Sequence, residues 1–157
     1  MTSLLRSAAV RVALVTTLLV LALAGCEDRT RNEAKLFLSK VADVDENAPT
    51  ARRREEIQAL KDLVVTTDEI RTAQRACVHA HEALLHAEEE QEGARHALEE
   101  AAHRVGTHTA LTAADSAAIQ ANIDASNRDI AEARTSFPTC TRHVDELKRK
   151  YGEGSGN

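Results

Sequence analysis

Three cysteines, seven histidines and several glutamate runs are the side chains of this chain that could do chemistry. Cys77 and Cys140 have no second cysteine close in sequence, so neither belongs to a Cys-X-X-Cys redox or metal motif. Two such thiols can oxidise to one disulfide if the fold brings their Cα atoms within ~5.5–6 Å. His79, His81 and His86, with Glu82, crowd one short stretch and pose the question of metal ligation. Ligands on adjacent helical turns need spacings of three or four. No two of the histidines have either, and only Glu82 and His86 do. The spacing fits titratable surface residues that pair with nearby glutamates. No metal or other cofactor is therefore expected, and a metal site would have to draw on His79, Glu82 and His86. There is no Ser-His-Asp constellation, glycine-rich phosphate loop or HExxH motif. Glu88-Glu89-Glu90 and Glu99-Glu100 read as solvated helix faces, so no catalytic residue is assigned and no enzyme is expected.

These side chains must be carried by helices. The only aromatics are Phe37, Phe137 and Tyr151, while Ala, Glu, Arg and Leu dominate, the composition of long helices rather than of a compact globule. No strand-like alternation rich in Val, Ile and Thr is present. The fold class expected is all-α: a long antiparallel helical hairpin, coiled-coil-like with an alanine-rich seam, plus a short additional N-terminal helix. Helices are expected at about 30–44, 51–105, 112–136 and 138–150, together forming a domain over 30–150 that precedes a disordered polar tail at 151–157.

The hairpin is written in heptads. Ile70, Cys77, Leu84, Gln91, Leu98 and Val105 recur every seven residues, and Ala73, Ala80, Ala87, Ala94 and Ala101 follow the first five by three. Gly106 can adopt the left-handed conformation that ends a helix, and 107–111 reads as a loop. Thr112 and Asp115 form a variant capping box for the next helix. A second seam follows in Ile119, Ser126, Ala133, Cys140 and Leu147, interleaved with Ile123, Ile130, Phe137, Val144 and Tyr151.

The midpoint between Cys77 and Cys140 falls inside the expected loop, so folding the arms antiparallel sets them opposite each other. The same register sets Ala80 against Phe137, Ala87 against Ile130 and Ala94 against Ile123, small against large, with Gln91 and Ser126 as a polar layer. Alanine lets helix axes approach to ~8 Å, which a disulfide requires. A bond closing a loop of about 64 residues could contribute ~4 kcal/mol by the chain-entropy model. Pro138 cannot donate an i→i−4 bond, so the second arm is expected to break there, with Ser136 capping a new helix. The first arm, ~80 Å long if continuous from 51 to 105, outruns its partner. The helix at 30–44, with Leu36, Phe37, Val41 and Val44, is expected to turn at Asn47-Ala48-Pro49 and cover Ile57, Leu60, Leu63 and Val64.

The first cysteine stands in a different context. Leu23-Ala24-Gly25-Cys26 closes a short apolar run behind Arg6 and Arg11, and this arrangement resembles the lipobox of bacterial lipoproteins. The run over 12–24 is shorter than the ~20 apolar residues that a membrane-spanning helix needs. The resemblance implies a signal peptide at 1–25, cleavage before Cys26, a diacylglyceryl thioether on Cys26 and a short lipidated linker at 26–29. It places the protein in the cell envelope, anchored through its lipid on the extracytoplasmic side of a bacterial membrane, where disulfides form. Glu27 and Asp28 resemble an inner-membrane retention signal, with Glu27 departing from the usual Asp, so they do not decide between inner and outer membrane. A second, five-residue resemblance links Leu111-Thr112-Ala113-Ala114-Asp115 to the LTxxQ motif of small helical periplasmic stress proteins, with Asp115 in place of Gln. Helix capping explains the same residues, and that family's function is not carried over.

All 25 acidic residues but only 18 of the 20 basic ones lie beyond Gly25, a net charge of −7. Nucleic acid is not an expected partner, because duplex binding needs clustered Lys and Arg. The one dense basic run, Arg52-Arg53-Arg54, is followed by Glu55-Glu56 and reads as a solvated helix start, with contact to anionic lipid headgroups as the other reading. The function expected is a membrane-anchored helical scaffold or protein-binding module, its protein partner unidentified. The alternative is a periplasmic metal-binding or stress-sensing protein using 79–86.

Overall fold

The computed structural model describes residues 28–106 and 112–152. The expected signal peptide, Cys26, the loop at 107–111 and most of the polar tail lie outside the described residues. The protein is all-α, with four helices and no strand among the described residues. They are α1 (28–43), α2 (Thr50–Lys61), α3 (Asp68–Gly106) and α4 (Ala113–Tyr151). Helices α3 and α4, each 39 residues and so ~58 Å long, form the antiparallel hairpin. Helix α1 runs from the open end of the hairpin to about its middle, and α2 returns beside α3.

The register expected from the cysteines holds at the disulfide and to within about one helical turn on either side. Cys77 and Cys140 are joined by a disulfide with a Cα–Cα distance of 4.6 Å. Toward the open end, Lys150 pairs with Glu69 at 2.6 Å. Toward the tip, Ser126 donates to the Ala87 carbonyl at 2.9 Å, and Arg104 pairs with Asp115 at 2.6 Å. All five seam alanines of α3 are buried, as are Ile119, Ser126, Ala133, Cys140 and Leu147 of α4. Thr112 and Asp115 form the capping box in both directions, satisfying two N-terminal donors of α4.

Three expectations are corrected. The first arm is not continuous from 51 to 105: it ends at Lys61 and restarts at Asp68. Val64-Val65-Thr66-Thr67 is a β-branched run, stiff at χ1 and poor in a helix. Two side chains from elsewhere stabilise the break. Glu33 of α1 accepts from the backbone N–H groups of Thr66 and Thr67 at 3.0 and 3.1 Å and from both their hydroxyls, capping α3 from outside its own chain segment. Buried Gln74 donates to the carbonyls of Leu60, Lys61 and Leu63, occupying acceptors left open where α2 ends.

The second correction concerns Pro138, which lies inside an unbroken α4, with Ser136 a mid-helix residue rather than a cap. Pro138 itself is exposed. Its missing donor leaves the carbonyl one turn earlier without a helical partner. Buried Ala133 and Cys140 on the opposite side hold the helix to α3 across that defect. The third correction is the expected Gln91–Ser126 layer. Gln91 is exposed, and Ser126 is satisfied by the α3 backbone one turn away.

The main core fills the open half of the hairpin, where α1 and α2 add a further layer. Phe37, Leu60, Ile70, Cys77 and Leu147 are its largest fully buried side chains. Leu63 packs against this core as expected, but Val64 points outward, 85% exposed.

Two stability predictions follow from this arrangement. Reducing the disulfide, or Cys140→Ser in the absence of other changes, should lower unfolding free energy by ~4 kcal/mol, read from denaturant titrations with and without reductant. Pro138→Ala should raise stability by about 1–3 kcal/mol, because it restores a helical hydrogen bond within a continuous helix. A helix starting afresh at residue 138 would gain nothing from that substitution.

Candidate functional site

The molecule divides at the level of Glu88. On the open side lies a base of four helices; beyond it, among the described residues, α3 and α4 continue as a two-helix arm. The turn between α1 and α2 sits at the boundary. Asn47 N–H donates to the Asp45 carboxylate at 2.9 Å, and Asp45 N–H donates to Glu56 at 3.1 Å, tying the turn back onto α2. The basic run beside it is not a solvated helix start throughout. Arg53 is buried, donating to the Glu46 carbonyl at 3.1 Å and paired with Glu88, while Arg54 pairs with Glu89. Two of the three arginines are thus committed to the fold, and so are two glutamates of the run read as solvated.

The histidine-rich stretch is dispersed by the fold. His79 Nε2 lies 2.9 Å from Glu132 of α4, whereas Glu82 pairs with Lys61 of α2 at 2.8 Å and His86 is exposed. His79 and Glu82 line a shallow depression with Lys61 and Arg75, two cations that oppose a metal ion. Among the described residues no group of three or more His, Cys, Asp or Glu side chains is placed to hold a metal. His81 is the buried member of the stretch, edge-on to Phe137 with ring centroids 5.0 Å apart. Burial holds its pKa below the ordinary imidazole value, opposed by Glu46 and assisted by Arg53. It is an anchor between α3 and α4 rather than a ligand.

The arm is built differently. Its contact line consists of Ala87, Ala94 and Ala101 against Ile119, Ser126 and Ala133, all buried. The larger residues flank that line: Leu98 is 51% and Ile123 39% exposed, with Leu84 and Ile130 half-buried. By helical periodicity Leu84 and Leu98 on α3, and Ile123 and Ile130 on α4, fall on the same side of the hairpin. In the base, α1 and α2 lie toward that side; in the arm no described element covers it. The arm is acidic as well: 88–106 and 112–129 together hold nine Asp and Glu against three Arg. Glu88, Glu92 and Glu99 share one stripe of α3, and the first of them already receives Arg53.

The chain matches no family model, and no curated protein or solved structure is similar enough to count as a match.

Two of these groups, Glu33 and His81, contribute to the acid response. The Thr66 hydroxyl above all, together with the backbone donors of Thr66 and Thr67, pushes the Glu33 carboxyl down to about 2 from its ordinary 4.5. Its contribution is present above the ordinary carboxylate range and is lost as pH falls toward 2. For His81, a lowered folded pKa makes the protonated unfolded chain favourable, so its contribution is lost as pH falls below the ordinary value of 6.5. Thermal melts across pH should show a first decline beginning below about 6.5, removed in His81→Leu. A second decline below about 4.5 should be reduced in Glu33→Gln.

Proposed function

We propose that this protein is a membrane-anchored extracytoplasmic lipoprotein whose hairpin serves as a helical scaffold or protein-binding module. The observation that carries the reading is the contrast between base and arm. The base uses a further layer of helices, a disulfide, the Glu33 cap and buried Gln74 to fix itself, whereas the arm leaves Leu98 and Ile123 partly exposed on an acidic two-helix face. The lipobox-like Leu23-Ala24-Gly25-Cys26 supports the anchor, and the Cys77–Cys140 disulfide accords with an oxidising compartment. A complementary partner would offer an apolar helix face or loop bordered by Lys and Arg. Since exposed residues away from core and caps change stability by about 0.5 kcal/mol or less, the face can be altered without unfolding the base. Because both side chains are partly covered, Leu98→Ser combined with Ile123→Ser should lower the melting temperature modestly while leaving the base cooperatively folded. Affinity isolation of the acylated protein from its own membrane should recover a defined protein with the wild type and lose it with this double variant. Equal recovery by both removes the arm as the binding surface; recovery of no partner by either removes the binding-module reading.

A further inference from the structure

The open end of the bundle brings together the start of α1, the α2–α3 linker and the end of α4. Glu33 bonds to Thr66 and Thr67, and Lys150 pairs with Glu69, so all three segments share one level of the molecule. Val64 in that linker and Leu36 on α1 are exposed apolar side chains that the core does not use. Arg29, Arg31 and Lys35 are exposed on α1; Lys148 and Arg149 are exposed on the last turns of α4 and have no ion-pair partner among the described residues. The chain enters α1 at Asp28, two residues after Cys26, a separation that spans at most ~7 Å.

We propose that this open end is the surface on which the protein rests against an anionic phospholipid bilayer. Val64 and Leu36 enter the headgroup boundary, Lys148 and Arg149 meet lipid phosphates, and the arm projects outward. The inference rests on the lipid-anchor reading, since a lipid on Cys26 is what brings this end to the membrane. Charge then chooses between a standing and a lying rod. Helix α3 is ~58 Å long, many times the ~8 Å Debye length at physiological ionic strength, so a standing arm lies beyond the surface potential. A lying arm would press its excess of acidic residues against a surface at about −30 mV. The basic run in the middle of the molecule cannot reverse this preference, because Arg53 and Arg54 are held by Glu88 and Glu89.

The chain has no tryptophan, so Val64→Trp and Leu98→Trp each introduce a single fluorescent probe. The acylated variants are reconstituted in phosphatidylglycerol-containing vesicles with brominated acyl chains. Trp emission at position 64 should be quenched and blue-shifted, while emission at 98 is not. In vesicles of phosphatidylcholine alone, quenching at 64 should fall. Lys148→Gln with Arg149→Gln should bring it to that same level in phosphatidylglycerol. Equal quenching at 64 and 98 overturns the standing orientation; no quenching at 64, or quenching indifferent to lipid charge, overturns the contact surface. Alkyne fatty-acid labelling of the wild type and Cys26→Ala tests the anchor separately. Absence of label with the 64-against-98 contrast retained in vesicle-bound protein overturns the anchor alone.

Discussion

The structure depends on how closely α3 and α4 approach at the Cys77–Cys140 disulfide, with Cα atoms 4.6 Å apart. Such proximity is available only where side chains between the helices are small, and the row Ala73, Ala80, Ala87, Ala94 and Ala101 supplies it. An alanine seam buries little apolar area per turn, so the hydrophobic contribution along the hairpin is thin. The covalent bond offsets this by restricting the unfolded chain. It also fixes the register on either side, from Glu69–Lys150 to Arg104–Asp115. Seam and disulfide are therefore one device: the small residues permit the bond, and the bond stabilises a contact too narrow to hold by burial alone.

The hairpin was legible because its signals are periodic and local. Heptad spacing, the alanine row and the Thr112–Asp115 box each act within a turn or two, and the cysteine positions converted them into a register. The break at 62–67 also had a local signal in Val64-Val65-Thr66-Thr67, but counting apolar positions from Ile57 through Ile70 bridges it. What stabilises that break was not legible. Glu33 lies more than thirty residues from the amides it caps, and Gln74 reaches back to carbonyls of another helix. Pro138 shows the converse, a strong local breaker overridden by packing on the opposite face of the helix. Arg53 shows how a charge run misleads, since a guanidinium between a backbone carbonyl and a glutamate of another helix looks in sequence like any exposed cation.

For the candidate site, the histidines were informative mainly by their spacing. Without i,i+3 or i,i+4 histidine pairs no two of them meet on adjacent turns: His79 and His86 share one exposed flank of α3 two turns apart, with His79 beside Glu132, and His81 turns into the core. The exposed arm was not legible at all, because a heptad pattern marks Leu98 and Ile123 as core positions. Burial there requires a covering layer, and α1 and α2 extend only to about the level of Glu88. Sequence periodicity identifies which side of a helix is apolar, whereas the length of the neighbouring elements decides how much of that side is used.

The same close approach that makes the disulfide possible creates the exposed face. When alanines of one helix meet Ile119, Ser126 and Ala133 of the other, the axes are too near for Leu98 and Ile123 to sit between them, and these side chains are displaced to the flank. In the base that flank becomes useful core, because Phe37, Ile57 and Leu60 pack over it. In the arm, glutamates border the flank and oppose a second copy of the same acidic surface, so self-association is a poor way to cover it. A surface that is apolar along its line, acidic along its edges and mounted on a covalently clamped base favours a basic partner over another copy of itself.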